Sequence, residues 1–246
     1  MLHEVEWSEK KISDFWDNKN RLIDSNIMSS GYFSQQTGPF LLRKLNRSIG
    51  FKNKDILDYG CGQGHLIDEI CSKYKPKSVC GVDLSSEACK DSNTRNKKHQ
   101  MFKGAYQLSE DMPLEPKSFD IVFLLEVVEH MRDEDISQAL SIIKSLLKPN
   151  GMVVISTPDN EDLRKATFVC PDCGCYFHSV QHVRAWTPAS LEKTVKNNGF
   201  ETYKIIETTL FAPEFLKPVF ASFYSIVAKL LKKPQKNLIY VGKKAL

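Results

Sequence analysis

The spacing of apolar positions changes near residue 54. Before it, aromatic residues stand among polar ones: Trp7, Phe15, Trp16, Tyr32, Phe33 and Phe40. Helices are predicted around 8–18 and 38–49. They are too little to bury a core alone, so residues 1–50 read as a helical cap on a domain spanning 51–246. From Lys54 onward, short apolar runs alternate with amphipathic stretches. The runs 55–59 (DILDY), 78–84 (SVCGVDL), a short piece near 100–103, 119–125 (FDIVFLL) and 151–157 (GMVVIST) predict strands. Helices are predicted over 63–74, from Ser85, and over 133–148, where Pro149-Asn150-Gly151 stops the last. This alternation means an α/β fold: a doubly wound, mostly parallel sheet with helices on both faces. Residues 158–186 break the rhythm as an insertion. Thr187-Pro188 then opens a helix to Asn198, with Gly199 as its stop. Strands follow at about 200–210 and 237–242. Between them, 212–234 is apolar and then basic. It suits a helix closing the core, a dimer contact, a pocket lid or a membrane-surface segment.

Composition narrows the class little further. The chain has 246 residues, 41% apolar and 26% charged, as an ordinary globular protein does. A net charge of +4 from 34 basic and 30 acidic residues is too mild to argue for nucleic acid. No apolar run is long enough to span a membrane, and the first residues carry no secretory pattern. Four of the seven cysteines (Cys61, Cys71, Cys80, Cys89) are scattered through the expected core, and three (Cys170, Cys173, Cys175) are bunched. That is no disulfide framework, so a cytoplasmic location is expected.

The stretch ILDYGCGQGHL (56–66) reads as strand, acid, tight turn and helix start. Gly60, Gly62 and Gly64 allow the sharp turn, and the helix N-terminus offers N–H groups to a carboxylate. A dinucleotide loop would space its glycines differently, and Asp58 would repel a pyrophosphate. An acid there suits an ammonium group, and a ligand with both ammonium and carboxylate is an amino acid. Asp83, ending the next strand in GVDLS, stands where this fold places the acid that grips ribose hydroxyls. Amino acid plus ribose outlines S-adenosylmethionine.

With these residues the chain resembles the class I S-adenosylmethionine-dependent methyltransferases. The resemblance covers roughly 50–160 through DYGCGQG, GVDLS, SFDIVFLLEVVEH and LLKPNGMVVISTP. It implies a seven-stranded sheet whose last strand, LIYVG (238–242), runs antiparallel. It implies that Asp58, Gly60, Gly62 and Gly64 flank the methionine end, with Cys61 a small packing residue of that loop. It also implies that Asp83 binds ribose, Leu84 packs on adenine and Leu125 lies beside the methionine end. Gly104-Ala105-Tyr106 falls where relatives place a Gly-Asp pair near the adenine amine, with Ala105 in place of the acid.

Glu126-Val127-Val128-Glu129-His130 follows the fourth strand, at the sheet end where ligands bind. In helical form Glu126, Glu129 and His130 would share a face, and two converging carboxylates suit Mg²⁺ or Mn²⁺. Glu-x-x-Glu-His resembles two metal-assisted groups, the ubiquinone-pathway O-methyltransferases and the small-RNA 2′-O-methyltransferases. The second resemblance adds His182 and implies a four-ligand set of Glu126, Glu129, His130 and His182. The alternatives are a metal-free base, His130 or His182, and a structural histidine.

CPDCGCYFHSVQH (170–182) opens a second metal-like pattern, suited to structural Zn²⁺. Cys170 and Cys173 would close a tetrahedral site with His178 and His182. If His182 serves the glutamates, Cys170, Cys173, Cys175 and His178 form the set. Reduced, solvent-facing thiols are the alternative. The pattern is similar to methyltransferases encoded with bacterial surface-glycan genes.

The resulting expectation is methyl transfer to a hydroxyl of a small polar acceptor: a sugar, sugar nucleotide or related glycan precursor. Glu129, His130 and His182 would carry the catalysis. N-methylation of a small amine and a non-catalytic, zinc-held cofactor-fold module are the competing readings. The acceptor and the oligomeric state have no legible code in the sequence.

Overall fold

The computed structural model describes residues 2–24, 37–109, 111–209 and 237–245. In chain order the elements are β1 (His3–Glu4), α1 (Glu9–Asp24), α2 (Gly38–Ile49), β2 (Asp55–Tyr59), α3 (His65–Lys73), β3 (Ser78–Asp83) and α4 (Ser86–Asn96). Then come β4 (Phe102–Gln107), β5 (Phe119–Leu125), α5 (Asp133–Leu146), β6 (Leu147–Pro158), a 3₁₀ turn (Leu163–Ala166), β7 (Thr167–Val169), β8 (Cys175–His178), α6 (Pro188–Asn197), β9 (Phe200–Thr208) and β10 (Asn237–Lys244). The apolar segment expected at 212–234 lies outside the described residues.

The main sheet has seven strands in the order β4-β3-β2-β5-β6-β10-β9. Strand β10 runs antiparallel to both neighbours, while the remaining pairings are parallel. Alternation along the central strands splits the core in two. Leu57, Val82, Val122, Leu124 and Ile155 face Ile136, Leu140 and Ile143 of α5 and Leu191 and Val195 of α6. Ile56, Val79, Ile121, Phe123 and Val154 face Leu41, Leu42 and Leu45 of α2 and Ile67 and Ile70 of α3. Apolar residues recur three and four apart in α2 and α5, as a one-sided helix requires.

Several boundaries differ from the pattern, among them that of α1, which runs to Asp24 past the expected 18. Strand β4 runs to Gln107, because its last residues pair with β3 through Tyr106 and Gln107. Helix α5 ends at Leu146, and Pro149-Asn150-Gly151 lies inside β6 as an irregularity: Phe119 pairs with Leu147, and pairing resumes at Ile121 with Met152. Asn150 turns there with φ near 62°.

A second sheet of three strands, β1-β8-β7, joins the N-terminal strand to the 158–186 insertion. The described part of residues 1–50 thus divides: α2 packs into the main core, β1 pairs with the insertion, and α1 bridges the insertion and the start of α4, where Ser85 Oγ donates to Asp17. Trp7, Phe15 and Phe177 meet edge to face with centroids 5.7–6.4 Å apart.

Candidate active site

The chain runs outward through β3 and β4 from β2, then returns to β5 on the other side of β2. Loops after β2 and β5 therefore diverge at the strands' carboxyl ends and leave a crevice. A cavity of about 980 Å³ lies there, lined by residues of the glycine loop, the β3 end, the β5 turn, α1 and α5. That is the upper end of the range for single-ligand pockets, room for a donor beside an acceptor.

The glycine loop turns under β2. Gly60 has φ near 86°, and a Cβ there would stand 2.5 Å from Val127 Cγ2. Glycine is thus required twice at this position: for the left-handed backbone and for the approach of the β5 turn. Gly62 N donates to Asp83 Oδ2 at 2.8 Å and Ser85 N to Oδ1 at 2.9 Å, so the loop and the β3 end are held as one unit. Asp58, Gly60, Cys61, Gly62, Asp83, Leu84 and Leu125 all line the cavity. Asp58 is buried, and burial first, then the charge of Asp83, raises its carboxyl to about 7. Burial also raises Asp83, while the N–H bonds from Ser85 and Gly62 oppose it.

Three residues expected at the donor do not line the cavity. Gly64 caps α3 and packs against Ser92 and Asn96. Ala105 and Tyr106 lie within β4, with Ala105 buried and bonded through both backbone groups to Asn93. Their place at the rim is taken by Leu108 and Ser109, because the strand continues four residues further than the apolar pattern indicates.

The segment after β5 is a turn and not a helix. Glu126 takes φ near 53°, and Ser156 Oγ donates to its Oε1 at 2.7 Å. Burial raises Glu126 to about 7, against the Ser156 bond. The expected i, i+3, i+4 face is lost, and Glu126 is drawn toward β6. Glu129, His130 and His182 remain: one ligand atom from each lies within 4.8 Å of the others.

Glu129 is 1% exposed, and neither carboxylate oxygen has a hydrogen-bond partner among the described residues. The His182 Nε2 atom stands 4.0 Å from Glu129 Oε1. His182 Nδ1 meets Glu161 Oε2 at 2.5 Å, so Glu161 orients the ring and turns Nε2 toward Glu129. His130 Nδ1 faces the Gln181 carbonyl at 3.3 Å, which leaves Nε2 for the cluster. Burial, then the neighbouring His182, lowers His130 to about 3 and keeps it neutral. Burial raises Glu129 well above the usual carboxylate range, and Glu126 adds to it.

Sequence reasoning missed Glu161, Gln181, Trp16 and Lys19. Gln181 is fully buried with φ near 57°; its Nε2 donates to the His130 carbonyl at 3.0 Å, and its Oε1 accepts from Trp16 Nε1 at 3.0 Å. Trp16 lies edge-on to His130 at 4.9 Å, and Lys19 sits over the Trp16 ring at 4.6 Å. Only the nearness of Gln181 to His182 in the chain was a signal, and proximity in sequence names no partner; Glu161 lies 21 positions from His182.

Cys170, Cys173 and Cys175 bring their sulfurs within 4.8 Å of one another, whereas His178 groups with Glu161 and His182. Cys175 and His178 are three apart on β8 and point to opposite faces, so neither predicted four-ligand set containing His178 is assembled. His178 instead stacks on His182 at 4.5 Å.

A protein-family model described as a methyltransferase domain matches residues 33–205. The chain is 28% identical over 200 residues to the ubiquinone biosynthesis O-methyltransferase of Pelagibacter ubique, covering 78% of each protein. It is 31% identical over 146 residues to the Coxiella burnetii protein of the same name, covering 58% of this chain and 56% of that one. An S-adenosylmethionine-dependent methyltransferase structure from Methanosarcina mazei superposes with a TM-score of 0.58 at 17% identity, over 82% of this chain and 97% of the other. Sheet order, glycine loop and family match agree: the chain belongs to the class I S-adenosylmethionine-dependent methyltransferases.

Proposed function

We propose that this methyltransferase acts on a hydroxyl oxygen of a small polar acceptor, and that Glu129, His130 and His182 gather a divalent cation beside that oxygen. The observation that carries the reading is Glu129: a buried carboxylate facing two histidine nitrogens, with no donor at full hydrogen-bond geometry and only weak help from the Thr157 hydroxyl and its own backbone. A carboxylate so placed is costly unless a proton or a cation compensates it. One carboxylate and two imidazoles fit a hard or borderline divalent ion, with Glu161 holding His182 in the ligating orientation. Such an ion lowers the pKa of a bound hydroxyl.

The donor would lie along the glycine loop, with Asp58 toward its ammonium group, Asp83 on the ribose and Leu84 against the base. The acceptor would enter from the side of α1 and the insertion. The residues there place its oxygen in line with the sulfonium methyl and exclude water. The oxygen–carbon bond forms as the carbon–sulfur bond breaks, and the hydroxyl proton leaves toward the cluster. Trp16 presents a ring of the kind on which a sugar or aromatic ring lies. Sugars, sugar nucleotides and related glycan precursors follow from the insertion's pattern. The ubiquinone-pathway relatives, named for O-methylation, favour oxygen over an amine nitrogen.

The test is transfer of labelled methyl to a panel of diol sugars, sugar nucleotides, catechols and amines, before and after chelation. Turnover on a hydroxyl acceptor should disappear with EDTA and return with Mg²⁺ or Mn²⁺ alone. Glu129→Gln should lose turnover and still bind S-adenosylhomocysteine. Undiminished turnover by Glu129→Gln in EDTA, or transfer confined to amines, overturns the reading.

A further inference from the structure

The three clustered cysteines lie outside the catalytic cavity and take no part in the chemistry above. Cys170 and Cys175 bracket a tight turn: Cys170 N donates to the Cys175 carbonyl at 2.8 Å, and Gly174 N donates to the Cys170 carbonyl at 2.9 Å. Gly174 closes the turn with φ near 76°, a left-handed conformation that a bulkier residue there would resist. The three sulfurs lie within 4.8 Å of one another, so small side-chain rotations bring them to the roughly 3.8 Å separation of tetrahedral thiolates with Zn–S bonds of about 2.3 Å. None of the sulfurs is deeply buried, so an ion can enter.

Three thiolates leave one tetrahedral position. His178 is on the wrong face of β8. The register of the small sheet supplies another imidazole. Strand β1 runs parallel beside β8, with His3 paired to Cys175 and Glu4 to Tyr176. Paired residues of adjacent strands project from the same face, about 5 Å apart. His3 therefore stands on the face that carries the Cys175 thiol, and His3 N donates to the Gly174 carbonyl at 3.3 Å within the same turn; its ring nitrogens do not lie within 4.8 Å of all three sulfurs, so the side chain must turn toward them to bind an ion.

We propose that Cys170, Cys173, Cys175 and His3 form a structural zinc site that fastens the N-terminal strand to the insertion. Each thiol gives up its proton as its zinc–sulfur bond forms, and His3 binds as neutral imidazole. The site is closed, with four protein ligands and no open position, so it supplies no catalysis. Its effect is on the cap. Helix α1 follows β1 directly and carries Trp16 and Lys19 to the cavity, so the ion sets where the cavity's outer wall stands. The zinc is separate from the cation proposed at Glu129, and either can be present without the other.

Cobalt substitution of the full chain tests this, because sulfur-to-cobalt charge transfer reports only the thiolate site. Protein purified without chelator should hold zinc that Cys173→Ser loses. Cobalt-loaded protein should show tetrahedral d–d bands and the charge-transfer intensity of three thiolates. His3→Ala should keep that charge transfer, shift the d–d bands and weaken zinc retention by more than the roughly 10–100-fold that loss of an outer-shell partner costs. His178→Ala should leave the cobalt spectrum unchanged. Removing the ion should speed hydrogen exchange at Val5, whose N–H donates to the Tyr176 carbonyl at 3.1 Å. A thiol set that is metal-free or disulfide-bonded in freshly purified protein overturns the site. An unchanged spectrum in His3→Ala, or a changed one in His178→Ala, overturns the ligand assignment.

Discussion

At the scale of single residues, the cavity depends on carboxylates placed where water does not stabilise them. Asp58 is raised to about 7 by burial and by Asp83, so in the empty protein it is half protonated near neutrality. A cationic donor needs it ionised. Affinity for S-adenosylhomocysteine should therefore be full above pH 7 and fall as pH drops through it, by up to about tenfold per unit. Calorimetry across pH 6–8 measures this, and Asp58→Asn should flatten the profile while weakening binding. Gly60→Ala should cost both stability and donor affinity, roughly 1–3 kcal/mol, because the added carbon meets Val127 and the backbone is left-handed. Thermal melts with and without ligand separate the two losses. Gly60 and Asp58 were legible because a tight turn after a strand needs particular residue types at fixed offsets. Glu161 was not: its role comes from a 2.5 Å contact with a residue 21 positions away, across an irregular segment whose path no periodicity encodes.

At the scale of elements, the insertion is joined to the cap and the β5 turn through one side chain. Gln181 links Trp16 of α1 to His130 of the turn and has no exposure to water. Replacing it with alanine leaves the Trp16 N–H and the His130 carbonyl without their partners, at about 1–3 kcal/mol each. Gln181→Ala should raise the acceptor KM more than the donor Kd, since the donor's loop touches neither partner. Equal changes in both would show that Gln181 supports the whole cavity. The strands and helices of the sheet were readable from alternation and helical spacing almost to the residue in β2 and β5. The segment at Glu126 had a helix only as one option, because Glu-x-x-Glu-His fits a helix face and a turn equally well. A hydrogen bond from Ser156, on a strand 30 residues further on, decides the matter. Pairing of β1 with β8 was hidden for a similar reason: a two-residue strand carries no period.

At the scale of the molecule, the sheet is anchored at both ends of its central strands. Opposite the cavity, Lys148 Nζ donates to Asp55 Oδ2 at 2.7 Å and to Asp120 Oδ2 at 2.8 Å, and Lys77 meets Asp55 at 2.9 Å. Burial alone would raise the Asp55 carboxyl, but the bonds from Lys148, Ser78 and Lys77 overcome it and hold it at about 2. A carboxyl held low in the folded state adds stability above its unfolded value near 4, and that stability is lost as pH falls from about 4 to 2. Asp55→Asn should lower the denaturation midpoint at pH 7 and leave less to lose in acid, which urea melts at pH 7 and pH 3 would detect. Strand β10 is formed by the last described residues, 237–244, yet it sits between β6 and β9. On a ribosome, β9 would emerge with its neighbour still unmade, and β6 would wait with an open edge. The nascent chain thus carries two unsatisfied strand borders until β10 arrives and fills both at once, and a chain cut short before residue 237 would expose them together to other molecules.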